Sequence, residues 1–174
     1  MNNWLVNVKN VRKNYKKKNI FKGLSFQISE NYNMALIGVN GSGKSTLLHM
    51  IANLIGYDGG HISYSSLIKN KQWYNIDIVT QLSVYTRYDR VIDHIKLVCG
   101  LGSIDFTTLK STSIYKFFKI DRFIGKKFIE LSGGQKKIVE IFCALCHKPK
   151  LVIFDELLNE LDLSKQRPYL EYIR

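Results

Sequence analysis

The 174-residue chain has no apolar run approaching the 18 or more residues of a membrane-spanning helix. Its opening, "MNNWLVNVKNVRKNY", lacks the apolar stretch of a secretory signal, so the chain reads as cytosolic. Cysteine is scarce: Cys99, Cys143 and Cys146 are odd in number, too few for a disulfide framework, and suited to a reducing compartment. Acidic residues are also scarce, 14 against 26 Lys and Arg, and the resulting net charge of +12 points to anionic partners. Nucleotide phosphates, nucleic acid and lipid headgroups all satisfy that charge, which by itself does not choose among them. No internal repeat or low-complexity linker interrupts the chain. With 45% hydrophobic and 23% charged residues it fits one globular domain with room for an inserted subdomain.

The first segments, "WLVNVKNVRKNY" and "IFKGLSFQIS", alternate apolar and polar residues as antiparallel strands do. "MALI" at 34–37 predicts a short apolar strand running into a glycine loop, and Leu47, Leu48, Ile51, Leu54 and Ile55 then recur at helical spacing. "HISY" and "WYNIDIVT" read as two further strands after the turn signal "GYDGG". Residues 84–123 lose strand character: Val91, Ile92, Ile95, Val98 and Cys99 form one helical stripe, and "TTLKSTSIYKFFKI" is a weaker helical candidate. Cys143 and Cys146 have C-x-x-C spacing but lie late in an apolar-striped helix. They are expected to be buried and structural rather than a redox pair.

Gly38-Val39-Asn40-Gly41-Ser42-Gly43-Lys44-Ser45 matches G-x-x-x-x-G-K-[ST], with a predicted strand before it and a predicted helix after it. Glycines let successive backbone N–H groups turn inward around a phosphate, and the helix N-terminus adds positive potential. Lys44 would reach the β and γ oxygens and the Ser45 hydroxyl would ligate Mg²⁺. An ordinary glycine turn needs no lysine followed by a hydroxyl.

Leu151-Val152-Ile153-Phe154-Asp155-Glu156 is an apolar strand ending in two carboxylates. Buried charge is costly, so two acids at the mouth of such a strand suggest a cation or a proton-transfer task. Asp155 would hold Mg²⁺ through water and Glu156 would polarise the attacking water as general base. A strand running out into a solvated loop that begins "DE" is the plainer alternative.

"LSGGQ" at 131–135 places two glycines where a helix follows, at a cost of roughly 2 kcal/mol if they lie inside it. Ser132 and Gln135, however, form the S-x-x-Q pattern of a capping box, followed by a core stripe at Ile138, Ile141, Phe142 and Leu145. That puts Gly133 and Gly134 in the first turn, where free N–H groups and the Ser132 hydroxyl can approach an anion. A capped helix that happens to begin with glycines is the alternative.

With these motifs in this order, from about residue 4 to the C-terminus, the sequence resembles the ATP-binding cassette ATPases, whose signature is LSGGQ. The resemblance implies an α/β fold: a P-loop NTPase core sheet with an N-terminal antiparallel β subdomain and an inserted helical subdomain. Residues 1–174 would be one domain, with about 1–83 and 124–174 as core and about 84–123 as insertion. It implies ATP and Mg²⁺ as cofactors, bound by Gly38, Asn40, Gly41, Ser42, Gly43, Lys44, Ser45 and Thr46. A second cassette, identical or not, would present Ser132, Gly133, Gly134 and Gln135 to the γ-phosphate across a head-to-tail dimer. Tyr15 resembles the aromatic that stacks on adenine, with half-buried sheet packing as its alternative. Gln81 resembles the glutamine that touches Mg²⁺ and the attacking water, with a polar strand end as its alternative. Lys44, Gln81 and Glu156 would be catalytic; Ser45, Gln81 and Asp155 would serve the metal. Tyr85 to Lys96 would help form the groove for a transmembrane permease subunit, although a solvated helix face explains its charges too. The chain would thus sit on the inner face of the cell membrane as the ATP-hydrolysing subunit of a transporter, of export type, with no nucleic-acid partner.

Two departures from the family pattern stand out. After Glu156 the chain reads Leu157-Leu158-Asn159-Glu160-Leu161-Asp162, and only Leu161 and Asp162 match the usual loop. The family's switch histidine lies on a strand well beyond the acidic pair, where none of His49, His61, His94 and His147 falls. That strand runs between the phosphate-loop strand and the acidic-pair strand, and unpaired backbone groups in a core cost roughly 1 to 3 kcal/mol each. The expectation is therefore a cassette whose C-terminal core is missing, and the alternative function is a nucleotide-binding cassette that does not turn over ATP.

Overall fold

The computed structural model describes residues 4–16, 18–70, 72–80, 88–155, 168–169 and 171–172. They fall into two compact units, Met1–Ile76 and Asp77–Arg174. The chain is mixed α/β, with an antiparallel sheet in the first unit and a mainly helical second unit.

The sheet contains β1 (Trp4–Tyr15), β2 (Lys18–Ser29) and β3 (Gly59–Tyr64) in the order β2-β1-β3, with both pairings antiparallel. Val6, Val8 and Val11 of β1 are all buried, although the step from 8 to 11 breaks a period of two. A bulge absorbs the extra residue. Val8 pairs with Phe26 but Val11 with Leu24, and on the other edge Lys9 pairs with His61 but Arg12 with Gly59. Asn10 takes φ 50 in the bulge and donates its N–H to the Ser25 hydroxyl at 2.8 Å. Gly60 faces it at φ 84, where an added Cβ would lie 2.2 Å from the Asn10 carbonyl oxygen, so the position requires glycine.

Helix α1 (Lys44–Ile51) buries Leu47, Met50 and Ile51. The predicted stripe runs on to Leu54 and Ile55, but the helix stops because Asn53 turns left-handed at φ 60 and the Leu54 N–H bonds back to the His49 carbonyl at 2.9 Å. Two short helices follow, α2 (Ser66–Lys69) and α3 (Gln72–Asn75), then strand β4 (Ile76–Val79). The strand expected over "WYNIDIVT" is thus confined largely to "IDIV", where apolar and polar residues alternate. The first residues of that stretch form a helical turn instead, held by the Asn75 side chain on the Ile68 carbonyl at 3.5 Å.

The predicted strand at 34–37 does not form. Met34, Leu36 and Ile37 are exposed in irregular chain, Ile37 by 92%. An apolar strand is held by hydrogen-bonded neighbours, and no described strand pairs with these residues.

The second unit is built on α4 (Val91–Leu101), α5 (Phe106–Ser111), α6 (Ser113–Phe117) and the long α7 (Gly133–Cys146), with β5 (Leu151–Phe154) paired to β4. The predicted stripes hold: Val91, Ile95 and Cys99 of α4, and Ile138, Ile141 and Phe142 of α7, are buried in one cluster. Tyr115 and Phe118 meet Phe142 with ring centroids 5.9 and 6.0 Å apart, and Tyr169 stacks on Phe118 at 5.3 Å. The weaker helical candidate resolves into two capped pieces. Asp105 accepts from the Thr108 N–H at 2.8 Å to start α5, and Thr112 accepts from the Tyr115 N–H at 3.4 Å to start α6. Hydrogen bonds from Thr107 and Thr108 hold the Asp105 carboxyl down to about 2. All three cysteines are buried free thiols, as expected of Cys143 and Cys146, and burial pushes Cys146 up to about 12 and Cys143 well above its ordinary value. Neither is poised for redox chemistry.

Candidate nucleotide-binding site

The glycine loop leads into α1 within the first unit. Gly41 at φ 75 and Gly43 at φ 98 hold conformations that other residues rarely adopt, and an added Cβ on Gly43 would meet Ile20 Cγ2 at 2.4 Å. Glycine therefore lets the loop turn tightly against β2, with Ser42 N–H bonded to the Val39 carbonyl at 3.2 Å. Lys44 folds its ammonium across the loop, donating to the carbonyls of Gly38 at 2.9 Å and Val39 at 3.1 Å. No side chain caps α1 and no acid lies in its first turn, so among the described residues no anion of the chain meets its N-terminal amides or the Lys44 charge. Gly38, Asn40, Gly41, Ser42 and Ser45 are exposed, and Gly43, Lys44 and Thr46 half-buried. A donor-rich, acid-free cradle of this kind fits a polyphosphate. The Ser45 hydroxyl is accessible to a divalent ion held on such a phosphate.

Lys18 of β2 brings a second ammonium to the same loop, 3.5 Å from the Gly41 carbonyl. Tyr15, at the end of β1, is 49% exposed with the Lys13 ammonium 5.2 Å from its ring centroid. An exposed ring at a strand end is available to stack on a planar ligand.

In the second unit the capping box at the start of α7 closes as predicted. Ser132 Oγ accepts from the Gln135 N–H at 3.3 Å, and Gln135 Oε1 accepts from the Ser132 N–H at 3.1 Å. Gly133 and Gly134 occupy the first turn. Because Ser132 Oγ serves the cap as an acceptor, its hydroxyl proton remains for a ligand.

Asp155 is buried at the end of β5, its N–H bonded to the Val79 carbonyl at 2.9 Å. A buried carboxylate at a strand end fits a cation ligand in chemistry and position. Gln81, Glu156 and the loop from Leu157 to Asp162 lie outside the described residues.

Two polar pairs of the second unit escaped sequence reasoning. His147 Nε2 lies 3.5 Å from Asp77 Oδ2, and burial raises the Asp77 carboxyl while the imidazole opposes that rise. Lys137, only 3% exposed, reaches the Thr80 carbonyl at 3.0 Å and Glu140 at 2.9 Å. The available signal for Lys137 was its register with Ile141 and Ala144 on the buried side of α7.

The family model described as "ABC transporter" matches residues 21–159, most of the chain, and the chain belongs to that family. Among relatives, the linearmycin resistance ATP-binding protein LnrL of Bacillus subtilis (strain 168) is 29% identical over 178 residues, covering 98% of this chain. The chain spans 57% of LnrL's length. Among solved structures, the ATP-binding subunit of an ABC transporter superposes with TM-score 0.84 at 24% identity, covering 97% of this chain and 73% of that one. A bacterial Atm1-family ABC exporter with ATP bound superposes with TM-score 0.80 at 23% identity, covering all of this chain and 32% of that one. These likenesses establish the fold.

Proposed function

We propose that the chain binds Mg·ATP and hydrolyses it as the ATPase subunit of a membrane transporter. The observation that carries this reading is the loop itself: left-handed glycines, an ammonium drawn across the mouth, and an uncapped helix start free of acids. Bound Mg²⁺ would supply charge neutralisation on the phosphate oxygens, held from this chain by Ser45, Asp155 and Gln81. Lys44 would orient and neutralise the terminal phosphates, Tyr15 would stack on the base, and Glu156 would take a proton from the attacking water.

The exposed Gly133, the half-buried Gly134 and the spare Ser132 proton at the start of α7 suit an anion presented from outside, which favours a dimer in which each cassette caps the other's nucleotide. We take residues 1–83 and 124–174 as the catalytic core and 84–123 as a helical insertion that meets a transmembrane permease, placing the chain at the inner membrane face. A relative named for linearmycin resistance and a structure described as an exporter favour export. Among the described residues no helix is long and apolar enough to cross a membrane, so the permease would be a separate chain or segment. A nucleotide-binding cassette without turnover is the second reading, favoured by the exposed Met34–Ile37 run that leads into the loop.

The test is phosphate release at saturating Mg·ATP from the wild type and from Glu156→Gln. The amide keeps shape and ligand binding but cannot accept the proton, so turnover should vanish while ATP stays bound. A wild type that binds ATP but releases no phosphate selects the second reading, and turnover that survives the substitution assigns the base elsewhere.

A further inference from the structure

Lys137 is the one lysine of α7 that is nearly inaccessible to solvent, at 3% exposure. An ammonium taken out of water is costly unless it is paired and hydrogen-bonded. Here it is used in two directions. Along its own helix it pairs with Glu140, one turn on, at 2.9 Å. Across the unit it donates to the carbonyl of Thr80 at 3.0 Å, a residue 57 positions earlier in the chain. Thr80 directly follows β4, and the preceding carbonyl, that of Val79, accepts the N–H of Asp155 at 2.9 Å. Two successive carbonyls at the end of one strand are thus tied to two different parts of the candidate site: one to the backbone N–H of Asp155 just after β5, the other to the helix that opens with Ser132 and Gln135.

A lysine is a poor choice for merely filling this space. Well-packed apolar residues in place of a buried ion pair are often neutral or stabilising, so stability alone does not call for the pair. What an ammonium adds is direction: a charge-assisted hydrogen bond to a single carbonyl fixes the helix against the strand end in a way that apolar contact does not. The same-helix carboxylate neutralises it without drawing in solvent. We propose that Lys137 is a positioning residue that holds the signature helix in register with the end of β4, and through Val79 with Asp155. Its polar partners are the chain's own Thr80 carbonyl and Glu140 carboxylate. Its consequence for turnover rests on the ATPase reading above, whereas the tie itself does not.

Two variants separate these levels. Lys137→Met with Glu140→Leu removes the pair together, leaving no orphaned charge. Lys137→Gln keeps a donor for Glu140 but is too short for Thr80. Urea unfolding should show the double variant as stable as the wild type or more so. Hydrogen exchange at the Asp155 amide, followed in the nucleotide-free protein, should accelerate about tenfold in both variants, as expected when one charge-assisted hydrogen bond is lost nearby. Turnover should fall on the order of tenfold or more with Mg·ATP affinity within about twofold, the split expected when geometry rather than binding is lost. Wild-type exchange at Asp155 in either folded variant would overturn the proposal. So would a loss of stability with unchanged turnover per folded molecule, which would make the pair structural only. If the wild type itself shows no turnover, the hydrolysis reading fails and the exchange result alone decides the tie.

Discussion

Ser132 caps α7 and, in the proposed reading, meets an incoming phosphate, two roles that substitution can pull apart. Its Oγ accepts from the Gln135 N–H at 3.3 Å while its own N–H is capped by Gln135 Oε1 at 3.1 Å, so the start of α7 rests on a reciprocal pair. Ser132→Ala removes one of these bonds and should cost about 1 kcal/mol of stability. Ser132→Asp keeps an N-cap acceptor and adds a negative charge where the helix dipole favours one, so its stability should match or exceed the wild type. In function the order reverses. A carboxylate placed where the hydroxyl stood would face an incoming phosphate at close range, and two unit charges about 4 Å apart repel by roughly 4 kcal/mol at an effective dielectric of 20. That corresponds to about a thousandfold weaker association. Urea unfolding gives the first quantity, and light scattering of the Mg·ATP-induced dimer across a protein dilution series gives the second. Alanine should be the less stable variant and aspartate the one that fails to dimerise. An aspartate variant that dimerises like the wild type removes the anion role from Ser132, and one less stable than alanine removes the cap.

Phe142 is fully buried between Tyr115 and Phe118, and Phe142→Ala should lower the unfolding free energy by about 3 to 5 kcal/mol; a loss under about 1 kcal/mol would mean that the helical core closes over the gap. His94 titrates in the opposite sense to a paired histidine: burial pushes its imidazole down, against the pull of Glu140 and Asp89. The native state therefore resists a proton that the unfolded chain accepts below about pH 6.5, so stability should fall as pH drops from 7.5 to 5.5. The urea midpoint of His94→Gln should lose part of that slope, and an unchanged slope would place the effect elsewhere.

The loop at 38–45 was legible in the sequence because its glycines, lysine and hydroxyl each answer a separate chemical demand, and the structure holds Gly41 and Gly43 in left-handed conformations. The box at Ser132 and Gln135 was legible for a similar reason: both partners lie within one turn. The β1–β2 pairing followed from alternation, yet the bulge at Asn10 did not, since it depends on what stands opposite at Ser25 and Gly60. The strand predicted at 34–37 failed for want of a neighbour, which no local pattern reveals. Lys137 had only its register with Ile141 and Ala144 to mark it, because a lysine reads as surface unless its distant acceptor, the Thr80 carbonyl, is known.

The central claim, that residues 38–45 form a triphosphate cradle, is tested most directly by calorimetric titration of the wild type and Lys44→Ala with Mg·ATP. Among the described residues the Lys44 ammonium bonds the loop's own Gly38 and Val39 carbonyls, so its removal should leave the fold's urea midpoint unchanged. Losing one charge-assisted contact of about 1.5 to 3 kcal/mol should weaken Mg·ATP binding by roughly ten- to a hundredfold. Equal affinities from the two proteins would contradict the cradle outright.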